Sequence, residues 1–386
     1  MTHTENHVAL VAACRSTQTR FGAHTPEFSL LIPPGMAKVS EDHGVEDVAL
    51  TWLSATVPDH PALATLRNRC SSMQRLHLRA LADLRTLRSA LDAAGVPFVV
   101  MKGPVLNELR TGSNVRRYSD LDVLVDPRNL APALGALIAA GASDIEGWVW
   151  QYLVDERHAQ LPVVLPLGTS VDLHWHLCSS PLHRHNLRFE EPAALLERSS
   201  TMLVGGLTVP VLSTTDMLLH TAAHATWSGG HRLVWSVDIA DIVRSFDIDW
   251  DEFTKRAWTW GAAELIGDGL RTSRDTVAAD IPERVLSALG AGVWGKTIRL
   301  LSHRLIRLVP GTNGLARIMR QEMRGSTARN FALIAAHGRL ALRSRWRGRP
   351  KAQPDSRERY FAFVEQEVST NFNVRATPAR PAKRKR

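Results

Sequence analysis

Two short sequences decide the fold of this chain: PFVVMKG at residues 97–103 and YSDLDVLVD at residues 118–126. Both contain apolar, β-branched runs, which are typical of buried strands. The first run ends at Lys102-Gly103, and a helix can begin at Pro104 with its amide end favouring phosphate. The pattern predicts a strand, a turn with a helix, and a second strand.

The second of these strands carries a pair of aspartates. Alternate side chains of a strand lie on one face, so Asp120 and Asp122 project together. Two adjacent carboxylates repel each other, and a divalent cation such as Mg²⁺, which keeps waters and takes substrate phosphates as further ligands, relieves that repulsion. The alternative is a strand edge that ends in solvent, where paired aspartates need no ion.

A third carboxylate lies in the sequence SVDLHWHL at residues 170–177. Asp172, His174 and His176 alternate with apolar residues, which is the period of a strand with one polar face. If this strand lies beside the Asp120 strand, Asp172 completes a site of three carboxylates. Such a site is typical of phosphoryl or nucleotidyl transfer assisted by two metal ions.

These sequences together resemble the uncharacterised nucleotidyltransferase family of the polymerase β-like superfamily. The resemblance rests on Lys102-Gly103, on Arg116 shortly before the aspartate pair, on SDLDVLV at residues 119–125 and on VDLHW at residues 171–175. It covers about residues 80–260. The motifs together are specific for the fold and much less specific for the substrate.

One feature departs from the superfamily pattern, in which a Gly-Ser turn precedes the aspartate pair. This sequence has Lys102-Gly103 at that place. A literal Gly112-Ser113 pair stands too close to Asp120 for the usual turn and helix, so we assign the turn to Lys102-Gly103. Gly103 is needed there because a side chain would hold the backbone away from a phosphate.

The resemblance implies an α+β fold with a small mixed β-sheet nucleotidyltransferase core, flanking helices and an α-helical C-terminal domain. It implies an enzyme that uses Mg²⁺ or Mn²⁺ to move a nucleoside monophosphate from a nucleoside triphosphate to an acceptor hydroxyl. The residues expected to be catalytic and to bind metal are Asp120, Asp122 and Asp172. The residues expected at the nucleotide are Lys102, Gly103, Arg116, Ser119, His174 and His224.

The apolar periodicity divides the chain into four expected parts. They are an N-terminal extension at residues 1–59, a catalytic domain at 60–210, a helical domain at 211–368 and a disordered basic tail at 369–386. The last strands of the catalytic domain are expected at residues 148–153, 160–165 and 170–177. Further helices are expected to follow, including one at residues 296–308.

The charge distribution bears on the acceptor. The chain of 386 residues carries a formal charge of +9, and six of those charges lie in residues 375–386. The rest is close to neutral, which favours a small-molecule acceptor over nucleic acid. A second basic run at residues 339–351 either attracts polyanions or is a solvated helix end. The oligomeric state does not follow from the sequence.

Other features of composition concern the compartment. No run of 18 apolar residues occurs, and the N-terminus lacks a signal sequence. We therefore expect a cytoplasmic protein with no membrane partner. The three cysteines are widely spaced and lack the spacing of zinc ligands, which favours reduced thiols.

The expected helical domain contains two histidines and an aspartate of interest. His220 and His224 lie one turn apart on the helix expected from Thr214, and an HxxxH pair can bind zinc. No Glu follows His220 and no third ligand is evident, so these histidines more simply line the nucleotide cleft or pack between helices. Asp238 either pairs with Arg232 or His224, or orients substrate.

Two rival functions are compatible with the same residues. One is a toxin that transfers nucleotides to tRNA or protein. The other is a module that keeps the fold for binding a nucleotide or a protein partner without catalysis. Asp120, Asp122 and Asp172 weigh against the second alternative because a binding module does not need all three carboxylates.

Overall fold

The computed structural model describes residues 3–16, 35–110, 112, 114–181, 184, 187–290 and 351–371. The helix expected at residues 296–308, nearly all of the basic run and the basic tail beyond residue 371 lie outside the described residues. Within them the fold is α+β, as the sequence predicts. No helix of these ranges is both long enough and apolar enough to cross a membrane.

Six strands of the described residues form one mixed sheet in the order β3-β4-β2-β1-β6-β5. The strands are β1 Phe98–Val100, β2 Asp120–Val125, β3 Gln160–Val164, β4 Ser170–His174, β5 Ser200–Val204 and β6 Leu207–Val211. The central strand β1 runs antiparallel to β2 and parallel to β6, while β2 runs parallel to β4. The sheet therefore places the two aspartate-bearing strands side by side.

The helices come before, between and after these strands. The first seven are α1 His3–Ser16, α2 Met36–His43, α3 Glu46–Thr56, α4 Ala62–Ala93, α5 Pro104–Glu108, α6 Leu130–Ala139 and α7 Gly147–Glu156. The others in the described residues are α8 Pro192–Glu197, α9 Thr214–Trp227, α10 Leu233–Ser245, α11 Trp250–Thr259, α12 Ala263–Val277, α13 Glu283–Ala288 and α14 Ser356–Asn371. Helix α1 packs on α2, α3 and α12, although its segment has little apolar pattern.

The prediction of a strand at residues 148–153 is wrong, because these residues lie in the helix α7. Its aromatic and β-branched residues favour a strand locally. However, Trp150 packs against Tyr360 and Phe361 of α14, with ring centroids 5.6 and 5.8 Å apart. Ser356 also donates a hydrogen bond of 2.8 Å to Gln151. Tertiary contacts with a helix some 200 residues away thus override the local preference.

Two long-range contacts fix the strand β4 at its ends. The buried Asp83 carboxylate of α4 accepts hydrogen bonds from the backbone amides of Leu167 and Thr169, both at 3.0 Å, in the turn that leads into β4. Just after β4, the Trp175 indole donates to the Tyr360 hydroxyl at 2.9 Å, and that hydroxyl donates to the His158 carbonyl at 2.8 Å. Asp172 therefore lies on a strand that is held at both ends.

Helices α9 and α12 approach closely at a glycine. A Cβ atom on Gly269 would lie 2.4 Å from the backbone oxygen of Ala222, a distance that real Cβ contacts do not show. Glycine has the lowest helix propensity after proline, so its presence in the interior of α12 has a packing reason. The close approach sets the spacing between the helix that carries His220 and its neighbour.

We expect Gly269→Ala to lower the free energy of unfolding by about 2 kcal/mol, because the clash with Ala222 exceeds the gain in helix propensity. The matched control is Gly135→Ala in α6, where a Cβ meets nothing within 4 Å. That variant should raise stability by up to about 1 kcal/mol. Urea unfolding followed by circular dichroism measures both, and equal effects of the two substitutions would contradict the packing argument.

Candidate active site

The turn after β1 brings a lysine to the aspartate strand. Gly103 has φ of 63°, and a Cβ there would lie 3.0 Å from the Asp120 carbonyl oxygen, so the position favours glycine on both grounds. The Met101 amide donates to the Asp122 carbonyl at 2.9 Å. With the backbone held in this way, the Lys102 Nζ lies 3.2 Å from Asp122 Oδ1.

The carboxylates meet across two parallel strands. The register pairs Asp122 directly with Asp172. One ligand atom from each of Asp122, Asp172 and His174 lies within 4.8 Å of the others, a grouping that can hold a metal ion. Asp120 precedes Asp122 by two residues on the same strand and is not part of this group of atoms, and its carboxylate is hydrogen-bonded by Ser119.

The electrostatic environment separates the three carboxyl groups. Burial opposes ionisation of Asp122, but the Lys102 ammonium and the His174 imidazole hold its pKa well below the ordinary value. Burial raises the pKa of Asp172 to about 6, with the charges of Asp122 and Asp120 adding to the rise and His174 opposing it. The pKa of Asp120 is also raised, by burial and by Asp122. Asp122 is thus the anionic centre of the site.

Two side chains hold these carboxylates in place. His174 Nε2 lies 3.2 Å from Asp122 Oδ1, and the Gln160 amide donates to Asp172 Oδ2 at 2.8 Å. The alternation of Asp172 and His174 along β4 could have suggested His174 as a metal ligand as well as a nucleotide contact. Gln160 leaves no signal in the sequence, because its role depends on the pairing of β3 with β4.

Helix α9 places two histidines near the same charges. The rings of His220 and His224 lie 6.1 Å apart. Burial, followed by the positive charge of Lys102, lowers the pKa of His220 to about 3 and lowers that of His224 as well. These shifts favour the neutral form of both rings. Neither belongs to a group of potential metal ligands within the described residues.

Arg116 lies in a buried ion pair. Its Nε and Nη2 donate to the two carboxylate oxygens of Asp238, both at 2.6 Å. The partner expected for Asp238 was Arg232 or His224, and the structure corrects this to Arg116. A bidentate pair of this kind uses the guanidinium edge that would otherwise face a phosphate.

A second arginine extends this pair into a network. Arg110 lies 3.0 Å from Asp47 of α3, 3.5 Å from Asp238 and 2.7 Å from Asp241 of α10. Arg244 completes the group through Asp241 at 2.6 Å. Three arginines thus balance three aspartates, as burial of charge requires. The network ties the segment between α5 and β2 to α3 and α10.

The structure therefore divides the expected site residues into three groups. Lys102, Asp122, Asp172 and His174 come together, with Asp120 two residues away on the same strand. Gly103 and Ser119 support them from the adjoining backbone and side chain. Arg116 contacts Asp238, and His224 lies on α9, close enough to Lys102 for the ammonium charge to add to the effect of burial in lowering the His224 pKa.

A mixed sheet with carboxylates on neighbouring parallel strands, next to a glycine turn, is the arrangement expected of a nucleotidyltransferase. Residues 35–277 match the family described as uncharacterised nucleotidyltransferase, and the chain belongs to that family. This confirms the family predicted from the sequence, and the match begins earlier than the resemblance did. A comparison with curated proteins finds no match.

We expect Asp238→Asn to lower the free energy of unfolding by about 3 kcal/mol, because it leaves Arg116 buried with half of its pairing lost. Asp251→Asn is the control, since Asp251 pairs with Arg284 at 2.9 Å on the surface and should change stability little. Urea unfolding of the two variants and the parent chain provides the comparison. A loss for Asp238→Asn no larger than the control's would refute a stabilising role for the network.

Proposed function

We propose that this chain is a metal-dependent nucleotidyltransferase that moves a nucleoside monophosphate from a nucleoside triphosphate to an acceptor hydroxyl. The observation that carries the proposal is the juxtaposition of Asp122 with Asp172 and His174, with Lys102 beside them, in a member of this family. The acceptor in this proposal is a small molecule or a biosynthetic intermediate. A cytoplasmic location, where nucleoside triphosphates are made and used, is part of it.

The donor set fits a divalent cation. Asp122 and Asp172 supply oxygen ligands and His174 a nitrogen, and Asp120 on the same strand face supplies a further carboxylate. Such a mixture accepts Mg²⁺ and also suits Mn²⁺, because imidazole is a better ligand for the transition metal. When bound, the ion neutralises the triphosphate and stabilises charge that develops on its oxygens.

Other residues of the chain contact the phosphates and accept the proton. In this proposal the Lys102 ammonium and the Gly103 amide contact the phosphates, and the fixed geometry keeps the triphosphate in line with the acceptor. Asp172, whose pKa is raised to about 6 by burial, takes the proton from the attacking hydroxyl. The new bond joins that oxygen to the α-phosphorus, and pyrophosphate leaves from the opposite side.

Of three expected nucleotide contacts outside the Lys102 turn, we assign one a different role and keep two. We assign Arg116 to holding the segment before β2, because Nε and Nη2, the two nitrogens of one guanidinium edge, both donate to Asp238. His224 remains a candidate at the nucleotide, because α9 carries it near Lys102 and Asp122. Ser119 remains a candidate that affects nucleotide binding indirectly, through its hydrogen bond to the Asp120 carboxylate.

The burial of Asp122 and His174 supports a small molecule as the acceptor. Asp122 and His174 are 7% and 6% exposed, and the buried His220 lies near them. An acceptor must therefore present a narrow group to reach the carboxylates. The near neutrality of the chain outside its basic tail points the same way, since enzymes that act on RNA ends have a basic groove.

Calorimetry with each nucleoside triphosphate and Mg²⁺ or Mn²⁺ tests donor binding. We expect one nucleotide to bind in the presence of metal and the double variant Asp120→Ala/Asp122→Ala to lose that binding, because both carboxylates are needed to bring metal and phosphate together. Binding that is unaffected by the double variant would place the nucleotide elsewhere. Failure of every nucleotide to bind the parent chain would favour the interaction module.

A second prediction concerns catalysis. Asp122→Asn should reduce transfer by at least about 10³-fold while leaving the circular dichroism spectrum unchanged, because the amide keeps the shape but loses the charge. Asp247→Asn, at an exposed position outside the site, is the control. Transfer of label from an α-³²P nucleotide measures both. Full activity of Asp122→Asn would exclude the proposed metal site.

A separate growth assay tests the alternative function. Growth arrest when the chain is expressed, abolished by Asp120→Ala, would indicate a toxin instead.

A further inference from the structure

One oxygen of the central carboxylate has two nitrogen partners. Asp122 Oδ1 lies 3.2 Å from Lys102 Nζ and 3.2 Å from His174 Nε2. The Lys102 and Asp122 side chains are only 16% and 10% exposed, so water screens this ion pair weakly. The pair is therefore a strong interaction and has to be counted in the binding of any cation at Asp122.

The Lys102 ammonium group lies beside Asp122, where two paired strands bring three carboxylates close together. Asp122 lies opposite Asp172 on two paired strands, and Asp120 lies two residues before Asp122 on the same strand. Among the described residues, Lys102 is the lysine or arginine that forms an ion pair with Asp122, since Arg116 contacts Asp238. A metal ion bound by Asp122 Oδ1 would meet Lys102 as a like charge at short range.

We propose that Lys102 occupies the cation position at Asp122 in the nucleotide-free protein and exchanges it for the triphosphate when metal and nucleotide arrive together. The inference rests on the function proposed above and adds to it a coupling between metal binding and triphosphate binding. Free metal binds weakly because it must displace the ammonium group. Metal with a triphosphate binds well because the displaced ammonium group gains phosphate oxygens as new partners.

The backbone around Lys102 makes such an exchange a side-chain movement. The Met101 amide is bonded to the Asp122 carbonyl at 2.9 Å, and Gly103 is packed against the Asp120 carbonyl. The Lys102 backbone between them is consequently held in place. Its four-carbon side chain can turn the ammonium group from the carboxylate to a neighbouring phosphate without any change in the strand pairing.

A purely structural role for Lys102 makes a different prediction. If the ion pair only holds the site together, removal of the ammonium group distorts the carboxylates and weakens metal binding. If Lys102 competes with the metal, its removal leaves Asp122 without a cation and strengthens metal binding. The two roles thus predict changes of opposite sign in the affinity for metal alone.

The experiment is a titration of the full chain with Mn²⁺ alone, in which electron paramagnetic resonance measures the free ion. We expect Lys102→Gln to bind Mn²⁺ about tenfold more tightly than the parent chain. Lys102→Arg keeps the charge and should bind Mn²⁺ like the parent, and so should Lys255→Gln at an exposed position on α11. In the presence of Mn²⁺, inorganic tripolyphosphate should bind Lys102→Gln about tenfold more weakly.

Thermal unfolding checks the fold of these variants. Lys102→Gln should melt below the parent chain without metal and gain more from Mn²⁺, because the ion relieves the unpaired carboxylates. Lys102→Met serves as a second neutral variant if the glutamine variant does not fold. Mn²⁺ affinity of the neutral variant equal to or below that of the parent overturns the exchange while leaving the proposed function standing. No Mn²⁺ binding by any variant, even with tripolyphosphate, overturns both.

Discussion

The structure depends on one pairing of strands, in which β2 and β4 run parallel and Asp122 lies opposite Asp172. A buried carboxylate and a half-buried one so placed repel each other and lose part of their hydration. The pairing is stable because the Lys102 ammonium and the His174 imidazole reach the same oxygen of Asp122, and because Gln160 donates to Asp172. The groups that make this pairing stable are the groups that the proposed chemistry uses.

Much of the remaining fold keeps these two strands in register. Asp83 of α4 fixes the turn that leads into β4, and Tyr360 of α14 fixes the backbone that follows it. The buried network around Arg110 and Asp238 holds the segment that leads into β2. Elements from both ends of the described chain thus meet where β2 and β4 begin or end, so the carboxylates are positioned by contacts that are far apart in sequence.

The sequence was most informative where the structure follows from the local alternation of polar and apolar residues. Alternation along residues 120–125 and 170–174 predicted two strands, each with its polar residues on one face, and both strands are present. The Lys102-Gly103 turn was predicted from its position after an apolar run, and Gly103 has the positive φ that the turn needs. Prediction failed at residues 148–153, where strand-favouring residues form a helix because α14 packs against them.

The sequence by itself thus determined the strands β1 to β4, the polar residues on one face of β2 and of β4, and the family of the chain. Only the tertiary structure decided which polar groups meet. Local period places Asp122 and Asp172 on strand faces, but it contains no information on the register that makes them neighbours. The same limit applies to Arg116, whose sequence position before β2 is compatible with a phosphate contact. Its partner Asp238 lies on a distant helix, and packing alone brings the two together.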